Sequence, residues 1–219
     1  MNQIASNLTQ LKASIPANCT LVAVSKTKPK ESILACYEAG HRDFGENKIL
    51  EMADKWENTP KDIRWHMIGH VQTNKVKYMA SFVHLIHAVD SEKLLKEINK
   101  RAAQHERIID CLLQVKIAEE ESKFGLSEVD VLSLLQSAVL EDLKNVRVVG
   151  LMGMATFTHD QSQLRREFER LQSFYNQHKD SYGFQTLSMG MSGDYPLAMD
   201  CGSTMIRVGS AIFGERNYH

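Results

Sequence analysis

The chain has 219 residues, of which 43% are hydrophobic and 24% are charged, values close to those of ordinary globular proteins. Its 26 basic and 27 acidic side chains leave a formal net charge of −1, which excludes a global basic surface for nucleic acid. No apolar run reaches the roughly 18–20 residues of a membrane span, and the amino-terminal residues lack the pattern of a secretory signal. The four cysteines are widely spaced and form no C-x-x-C pair, so we expect reduced thiols, no zinc site and a cytoplasmic location.

Short apolar runs alternate with longer amphipathic segments along the chain. We predict a helix at residues 2–14 and eight strands after it. The predicted strands are residues 21–24, 43–45, 65–68, 85–89, 111–117, 146–154, 186–191 and 205–213. Because these runs are rich in Val, Ile and Leu and do not alternate strictly with polar residues, they are typical of strands buried on both faces.

Helical patterns separate the strands. Pro29 suits the first turn of a helix after the first strand. Ser91 precedes an apolar pattern of helical spacing, and Ser127 with Asp130 forms the sequence of a capping box. A 3.6-residue period predicts a further helix through Leu164, Phe168, Leu171 and Phe174.

The alternation of strands and helices predicts the fold class. Parallel strands joined by helical crossovers account for such an order, and eight units favour a closed barrel. We therefore predict an α/β protein, a single (β/α)8 TIM barrel over residues 1–219 with an extra amino-terminal helix. An open, doubly wound sheet is the alternative, although neither its G-x-G-x-x-G fingerprint nor a P-loop follows the first strand.

Lys26 stands at the end of the first predicted strand, where a barrel carries its functional groups. A desolvated barrel mouth disfavours a charged ammonium, and the neutral amine is the form that attacks an aldehyde to give a Schiff base. A solvated surface lysine is the alternative interpretation, and it is the role that we predict for Lys28 nearby.

Polar residues also end the second and third strands. Asn47 offers a donor and acceptors to a ligand, or else caps a helix, while Glu46 can pair with a cation. His66 and His70 are four residues apart, a spacing that on a helix would suit a metal. Because this segment has the pattern of a strand and the glutamate of the zinc protease motif is missing, we predict no metal site.

Small and polar residues are densest around the last two strands. Ser192 follows the seventh strand, and Gly202, Ser203 and Thr204 precede the eighth. Such residues beside helix starts can hold a phosphate through backbone N–H groups, although ordinary turns have the same composition. Arg207 lies inside the apolar eighth strand, where an unpaired guanidinium is costly, so it either pairs with a carboxylate or faces a ligand.

Taken together, eight motifs in chain order resemble those of the pyridoxal phosphate homeostasis proteins, which are relatives of the alanine racemase N-terminal domain. The motifs are AVSKTKP (23–29), FGEN (44–47), WHMIG (65–69), QxNK (72–75), SKxG (122–125), GLM (150–152), SMGMSxD (188–194) and GSTMxRxG (202–209). The resemblance covers nearly the whole chain. His70 and Val71 are two local departures from it.

The resemblance implies a barrel that holds pyridoxal 5′-phosphate as an internal aldimine of Lys26. It also implies that Arg207 faces the pyridine nitrogen and that Asn47 lies close to the cofactor. By the same resemblance, the candidates around the phosphate are Ser192, Gly202, Ser203, Thr204, Gly209 and Ser210.

An arginine beside the pyridine nitrogen opposes its protonation and so weakens the cofactor as an electron sink. Alanine racemase shares this arginine but also uses a tyrosine from an additional domain, and we expect no room for that domain in 219 residues. We therefore expect a monomeric carrier or regulator in vitamin B6 homeostasis, without catalytic turnover, whose partners are pyridoxal phosphate and the apo-enzymes that use it. A small racemase-type enzyme and a Schiff-base aldolase for a phosphorylated sugar are the alternatives.

Overall fold

The computed structural model describes residues 3–120 and 124–214. Eight parallel strands pair in chain order and the last pairs with the first, so they close into a barrel and confirm the predicted (β/α)8 fold. The strands are β1 (Thr20–Val24), β2 (Asp43–Glu46), β3 (Arg64–Met67), β4 (Leu85–Val89), β5 (Ile109–Val115), β6 (Val146–Gly153), β7 (Thr186–Ser188) and β8 (Met205–Val208).

Helices surround the barrel. Within the described residues they are α1 (Gln3–Ala13), α2 (Lys30–Glu38), α3 (Ile49–Glu57), a 3-10 helix (Thr73–Tyr78), α4 (Glu92–Ala103), α5 (Glu128–Leu135), α6 (Ala138–Asp142), α7 (Gln161–Tyr182), α8 (Tyr195–Asp200) and α9 (Ser210–Phe213). The predicted amino-terminal helix is α1, although residue 2 lies outside the described part. None of these helices combines the length and the apolar character that crossing a bilayer requires.

The predicted helix starts are explained by side-chain caps. Ser127 and Asp130 form the expected capping box at the start of α5, and Ser91 accepts a hydrogen bond from the Leu94 N–H at the start of α4. Each cap pairs backbone N–H groups that have no partner inside the helix. The apolar stripe of α7 is buried as its period predicts, through Leu164, Phe168, Leu171 and Phe174.

The core has two layers, one on each side of the barrel wall. The larger layer lies between the strands and the helices and includes the fully buried Phe44, Trp65 and Phe168. The smaller layer fills the barrel interior with Val22, Leu85, Ala88, Leu112, Val149, Met152 and Met205. Because each strand buries both of its faces, its sequence is nearly continuously apolar.

The prediction of a strand over residues 205–213 is wrong in its second half. β8 ends at Val208, and the apolar residues after Gly209 form the short helix α9. The backbone N–H groups of Ile212 and Phe213 both bond to the Gly209 carbonyl, and Asn7 of α1 donates to the Ile212 carbonyl over 3.1 Å. A short apolar run does not distinguish a strand from a buried helix, and packing against α1 decides it here.

Candidate functional site

A cavity of about 530 Å³ opens at the carboxyl ends of the strands. We call it the carboxyl-end cavity. It is framed mainly by the segments that follow β1, β2, β6, β7 and β8. Six of the nine predicted site residues line it, namely Lys26, Asn47, Ser192, Arg207, Gly209 and Ser210.

The alternation of β1 carries Lys26 into this cavity. Val22 packs in the barrel interior and Val24 lines the cavity, so continued alternation places Lys26 on the same face. Thr27, the next residue, has a φ of +62°. A β-branched residue in the left-handed region is strained, and such a conformation persists only where neighbouring contacts hold it.

Those contacts come from a buried ionic network on the outer side of the barrel wall. Nζ of Lys55 on α3 donates to the Ser25 carbonyl over 2.8 Å and to the carboxylates of Glu46 and Glu51 over 2.7 Å each. Oγ of Ser25 donates to Glu46 and the Thr27 N–H donates to Glu51, each over 2.6 Å. We call these five residues the outer network. It holds the residues on both sides of Lys26 and confirms that Glu46 pairs with a cation.

Within the outer network, Glu46 is the carboxylate that burial disfavours most. Its side chain is fully buried, and its Oε2 atom has no hydrogen-bond partner among the described residues. Burial raises the pKa of Glu46 to about 7, against the opposing effects of Lys55 and Ser25. The network therefore holds a carboxyl group that titrates near neutral pH.

Asn47 enters the cavity at the end of β2. The N-cap of α3 is Lys48, so the alternative that Asn47 caps this helix is wrong. Gly69, after β3, packs directly against the Asn47 backbone. A Cβ atom at position 69 would lie 2.4 Å from the Asn47 carbonyl oxygen, so only glycine allows this approach.

Arg207 reaches the cavity from inside the barrel. It is 3% exposed, and it donates to Oγ of Ser188 over 2.5 Å and to the Gly153 carbonyl over 3.1 Å. Burial lowers the pKa of Arg207 to about 10, which the charge of Asp194 partly opposes, so the guanidinium stays protonated at neutral pH. The sequence left two alternatives for Arg207, pairing with a carboxylate or facing a ligand site. In the structure its guanidinium faces the cavity and is hydrogen-bonded to neutral oxygens.

The segments after β7 and β8 meet beside Arg207. The Gly209 N–H donates to Oγ of Ser192 over 3.1 Å, and the Met191 N–H donates to the Asp194 carboxylate over 2.5 Å. Burial raises the pKa of Asp194, and the bond from Met191 partly offsets this effect. Small polar groups from the two segments therefore share one wall of the cavity.

Three predicted phosphate residues lie elsewhere. Gly202, Ser203 and Thr204 precede β8 and so sit at the amino ends of the strands, away from the carboxyl-end cavity. Oγ of Ser203 lies 2.7 to 3.3 Å from three backbone carbonyl oxygens to which its single proton can donate, and the Thr204 N–H donates to the Leu187 carbonyl. These contacts join β7 to β8 and explain the composition of the segment without a ligand.

Sequence reasoning missed the segment after β6. Thr156, Phe157, Thr158 and His159 line the cavity, although no motif marks them. Their anchor is Glu167 of α7, a buried carboxylate that accepts the Thr156 N–H over 2.7 Å and the Thr156 hydroxyl over 2.6 Å. Glu167 lies in a largely polar helix sequence, which hides its role.

Lys28, the fifth motif and the two histidines of metal-like spacing differ in where they lie. Lys28, predicted to be solvated, lines the cavity and donates to the Phe213 and Gly214 carbonyls over 3.1 and 3.3 Å. Ser122 and Lys123 of the fifth motif lie outside the described residues. The two histidines with metal-like spacing separate, since His66 is buried in the barrel and His70 is exposed beside Asp90.

Residues 1–217 match the protein family described as Alanine racemase, N-terminal domain. The chain is 37% identical over 205 residues to the pyridoxal phosphate homeostasis protein of Aquifex aeolicus, covering 92% of this chain and 89% of that protein. It is 35% identical over 238 residues to the pyridoxal phosphate homeostasis protein of Escherichia coli K12, covering 100% and 99% of the two chains.

Solved structures of similar fold include a protein named PipY and an alanine racemase. PipY of Synechococcus elongatus PCC7942 with PLP bound is 32% identical with a TM-score of 0.86, covering 96% of this chain and 100% of that chain. Alanine racemase of Clostridium difficile 630 has a TM-score of 0.78 at 11% identity, covering 99% of this chain and 57% of that chain. The second likeness shows the fold alone.

Proposed function

The chain belongs to the pyridoxal phosphate homeostasis proteins of the alanine racemase N-terminal domain family, and we propose that its carboxyl-end cavity holds pyridoxal 5′-phosphate on Lys26. The observation that carries this proposal is the position of Lys26. It lines the cavity on the interior face, while the outer network holds both of its neighbours from behind. A lysine that must meet one carbon atom needs a backbone fixed in this way.

Bound pyridoxal phosphate supplies an aldehyde. Nζ of Lys26, in its neutral form, adds to the aldehyde carbon, and the loss of one water molecule leaves a carbon–nitrogen double bond. The reverse reaction with water releases the cofactor unchanged. A reversible bond of this kind suits a protein that stores and returns a reactive aldehyde.

The other cavity residues suit the rest of the cofactor. Ser192, Gly209 and Ser210 bring small polar groups to one wall, and we propose them as the phosphate site, without residues 202–204. Arg207 would donate to the pyridine nitrogen, and Asn47 would contact the cofactor near β2. Because a protonated arginine only donates, it favours an unprotonated ring nitrogen and a weak electron sink. Alanine racemase shares this arginine, so the arginine alone does not decide turnover. We propose a carrier without catalytic turnover because the relatives at 35–37% identity are named pyridoxal phosphate homeostasis proteins.

A racemase-type enzyme is the second candidate. His159 lines the same cavity and is a residue type that transfers protons near neutral pH. Incubation with single L-amino acids, followed by chiral analysis, separates the two functions, since turnover that depends on Lys26 would replace the carrier proposal. A monomeric state, delivery to apo-enzymes and a cytoplasmic location stay predictions from the sequence.

The absorption spectrum after addition of pyridoxal phosphate tests the proposal. The unmodified chain should turn yellow and show an imine band, and Lys26→Ala should lose that band. Lys28→Ala is the matched control, because Lys28 lines the same cavity two residues away, and it should keep the band. An unchanged band in Lys26→Ala, or a colourless unmodified protein, would overturn the proposal.

A further inference from the structure

Five polar side chains form a line through the barrel interior, from Asp43 at the start of β2 to Arg207 at the cavity. Nη1 of Arg207 lies 2.5 Å from Oγ of Ser188, which lies 3.0 Å from Nδ1 of His87. Nε2 of His87 lies 3.0 Å from Nδ1 of His66, whose Nε2 lies 3.1 Å from Oδ1 of Asp43. We call these five residues the inner chain.

The middle of the inner chain is closed to water. Ser188 and His87 are fully buried, and His66 is 1% exposed. A buried polar group that loses its partner pays its full desolvation cost, because no water replaces the lost bond. Ser188, His87 and His66 are therefore each held to both of their neighbours in the inner chain.

The two ends of the inner chain set the direction of every bond in it. A guanidinium only donates and a carboxylate only accepts, so the Ser188 oxygen accepts from Arg207 and Asp43 accepts from His66. Among the described residues, the Ser188 hydroxyl proton then has its acceptor in Nδ1 of His87. The reverse direction would bring two N–H groups to the Ser188 oxygen and leave its proton buried without an acceptor. It follows that both imidazoles carry one proton, on Nε2.

The charges of the surrounding groups agree with this direction. Burial lowers the pKa of His87 well below its usual value, and the charge of Arg207 acts in the same direction, which keeps that ring neutral. For Asp43, burial alone would raise the pKa, but hydrogen bonds from His66 and Arg64 outweigh it and lower the pKa. Arg64 donates to both Asp43 oxygens and so holds the far end of the chain.

We propose that the inner chain is a one-directional hydrogen-bond chain in which His87 and His66 are positioning residues for Arg207 at the cofactor site. The two histidines do not line the cavity, so they act through Ser188. With one guanidinium nitrogen fixed on Ser188 and another on the Gly153 carbonyl, the plane of Arg207 is set. This inference rests on the proposed function, because it names what orients the arginine that meets the cofactor ring.

The histidine tautomers test the chain without any cofactor. Nitrogen-15 NMR of the full chain at neutral pH reports which ring nitrogens carry protons, and the signals that change in His87→Gln identify the pair. We expect His66 and His87 each to carry a single proton on Nε2. A proton on Nδ1 of either ring, or on both nitrogens, would overturn the proposal, whether or not the protein binds pyridoxal phosphate.

The positioning role is tested by the affinity for pyridoxal phosphate. We expect His87→Leu, which removes both bonds, to raise the Kd about tenfold, in keeping with the loss of bonds that hold a charged group. His87→Gln retains one acceptor and one donor and should stay within about threefold of the unmodified chain. An unchanged Kd in folded His87→Leu, or an equal loss in His87→Gln, would overturn the role. Exposed His105→Leu is the control and should leave the Kd unchanged.

Discussion

The outer network and the inner chain reach the same cavity from opposite sides of the barrel wall. The outer network is ionic, since Lys55 lies between the carboxylates of Glu46 and Glu51, and it holds the backbone around Lys26. The inner chain carries its charges at its two ends, and neutral groups join them. One region therefore depends on the balance of charge, and the other on the direction of its hydrogen bonds.

This difference gives the two regions opposite responses to pH. The pKa of Glu46 is raised above its unfolded value, so Glu46 contributes stability that is lost as the pH rises through about 7. The pKa of His87 is lowered, so His87 contributes stability that is present above its unfolded pKa and is lost as the pH falls. His41, whose pKa burial lowers to about 4, adds to the second effect at the amino end of the barrel.

The largest effect is expected from removing the cation of the outer network. Lys55→Met leaves two carboxylates without their cation, one of them fully buried, and should lower the free energy of unfolding by about 3–5 kcal/mol. Urea denaturation measures this change. The exposed Lys93→Met is the control and should stay within about 0.5 kcal/mol of the unmodified chain.

A second substitution shows whether charge balance is the cause. Adding Glu46→Gln to Lys55→Met removes the fully buried charge and should restore a substantial part of the lost stability. If the double variant is as unstable as the sum of the two single variants, Lys55 acts through packing and the ionic account of the outer network is wrong.

The opposite pH responses of the two regions predict how the free energy of unfolding changes with pH. Between pH 7 and pH 5 the raised pKa of Glu46 opposes the lowered pKa values of His41 and His87, so the unmodified chain should lose less stability than the two histidines alone would cause. Glu46→Gln removes the opposing group and should lose about 2 kcal/mol more than the unmodified chain over this range. Urea titrations at the two pH values measure the difference, and parallel curves would contradict the assignment of Glu46.

A further effect on stability is expected at the contact between Gly69 and Asn47, which belongs to neither the outer network nor the inner chain. Because Gly69 packs against the Asn47 backbone, Gly69→Ala should lower the free energy of unfolding by about 1–3 kcal/mol as the backbones move apart. Gly193→Ala, where a Cβ atom would meet nothing within 4 Å, is the matched control and should be nearly neutral. Thermal unfolding of the two variants compares them, and equal melting temperatures would show that the approach is not tight.

The smallest effect is expected in the cavity wall away from both regions. Phe157 is 89% exposed, so Phe157→Ser should change the free energy of unfolding by less than about 0.5 kcal/mol. A larger loss in urea denaturation would mean that the segment after β6 supports the barrel beyond its anchor at Glu167.

Local patterns predicted the features that depend on neighbours in the chain. The end of an apolar strand two residues earlier marks Lys26 as a candidate in the sequence, and the three-residue spacing of Ser127 and Asp130 predicts the α5 cap. The inner chain joins His87 to Ser188 across 101 positions, a contact that arises only when the barrel closes. Residues 202–204 have the composition of a phosphate site but lie at the amino end of β8. Composition does not distinguish the amino end of a strand from its carboxyl end.

The covalent site on Lys26 is the central claim, and borohydride trapping tests it most directly. Reduction of the unmodified chain with bound pyridoxal phosphate makes the link permanent, and fragmentation of the proteolytic peptides by mass spectrometry locates it. The account predicts modification at Lys26 alone, with none at Lys28, which lines the same cavity. Modification at Lys28 or another lysine instead, or no modification, would contradict it.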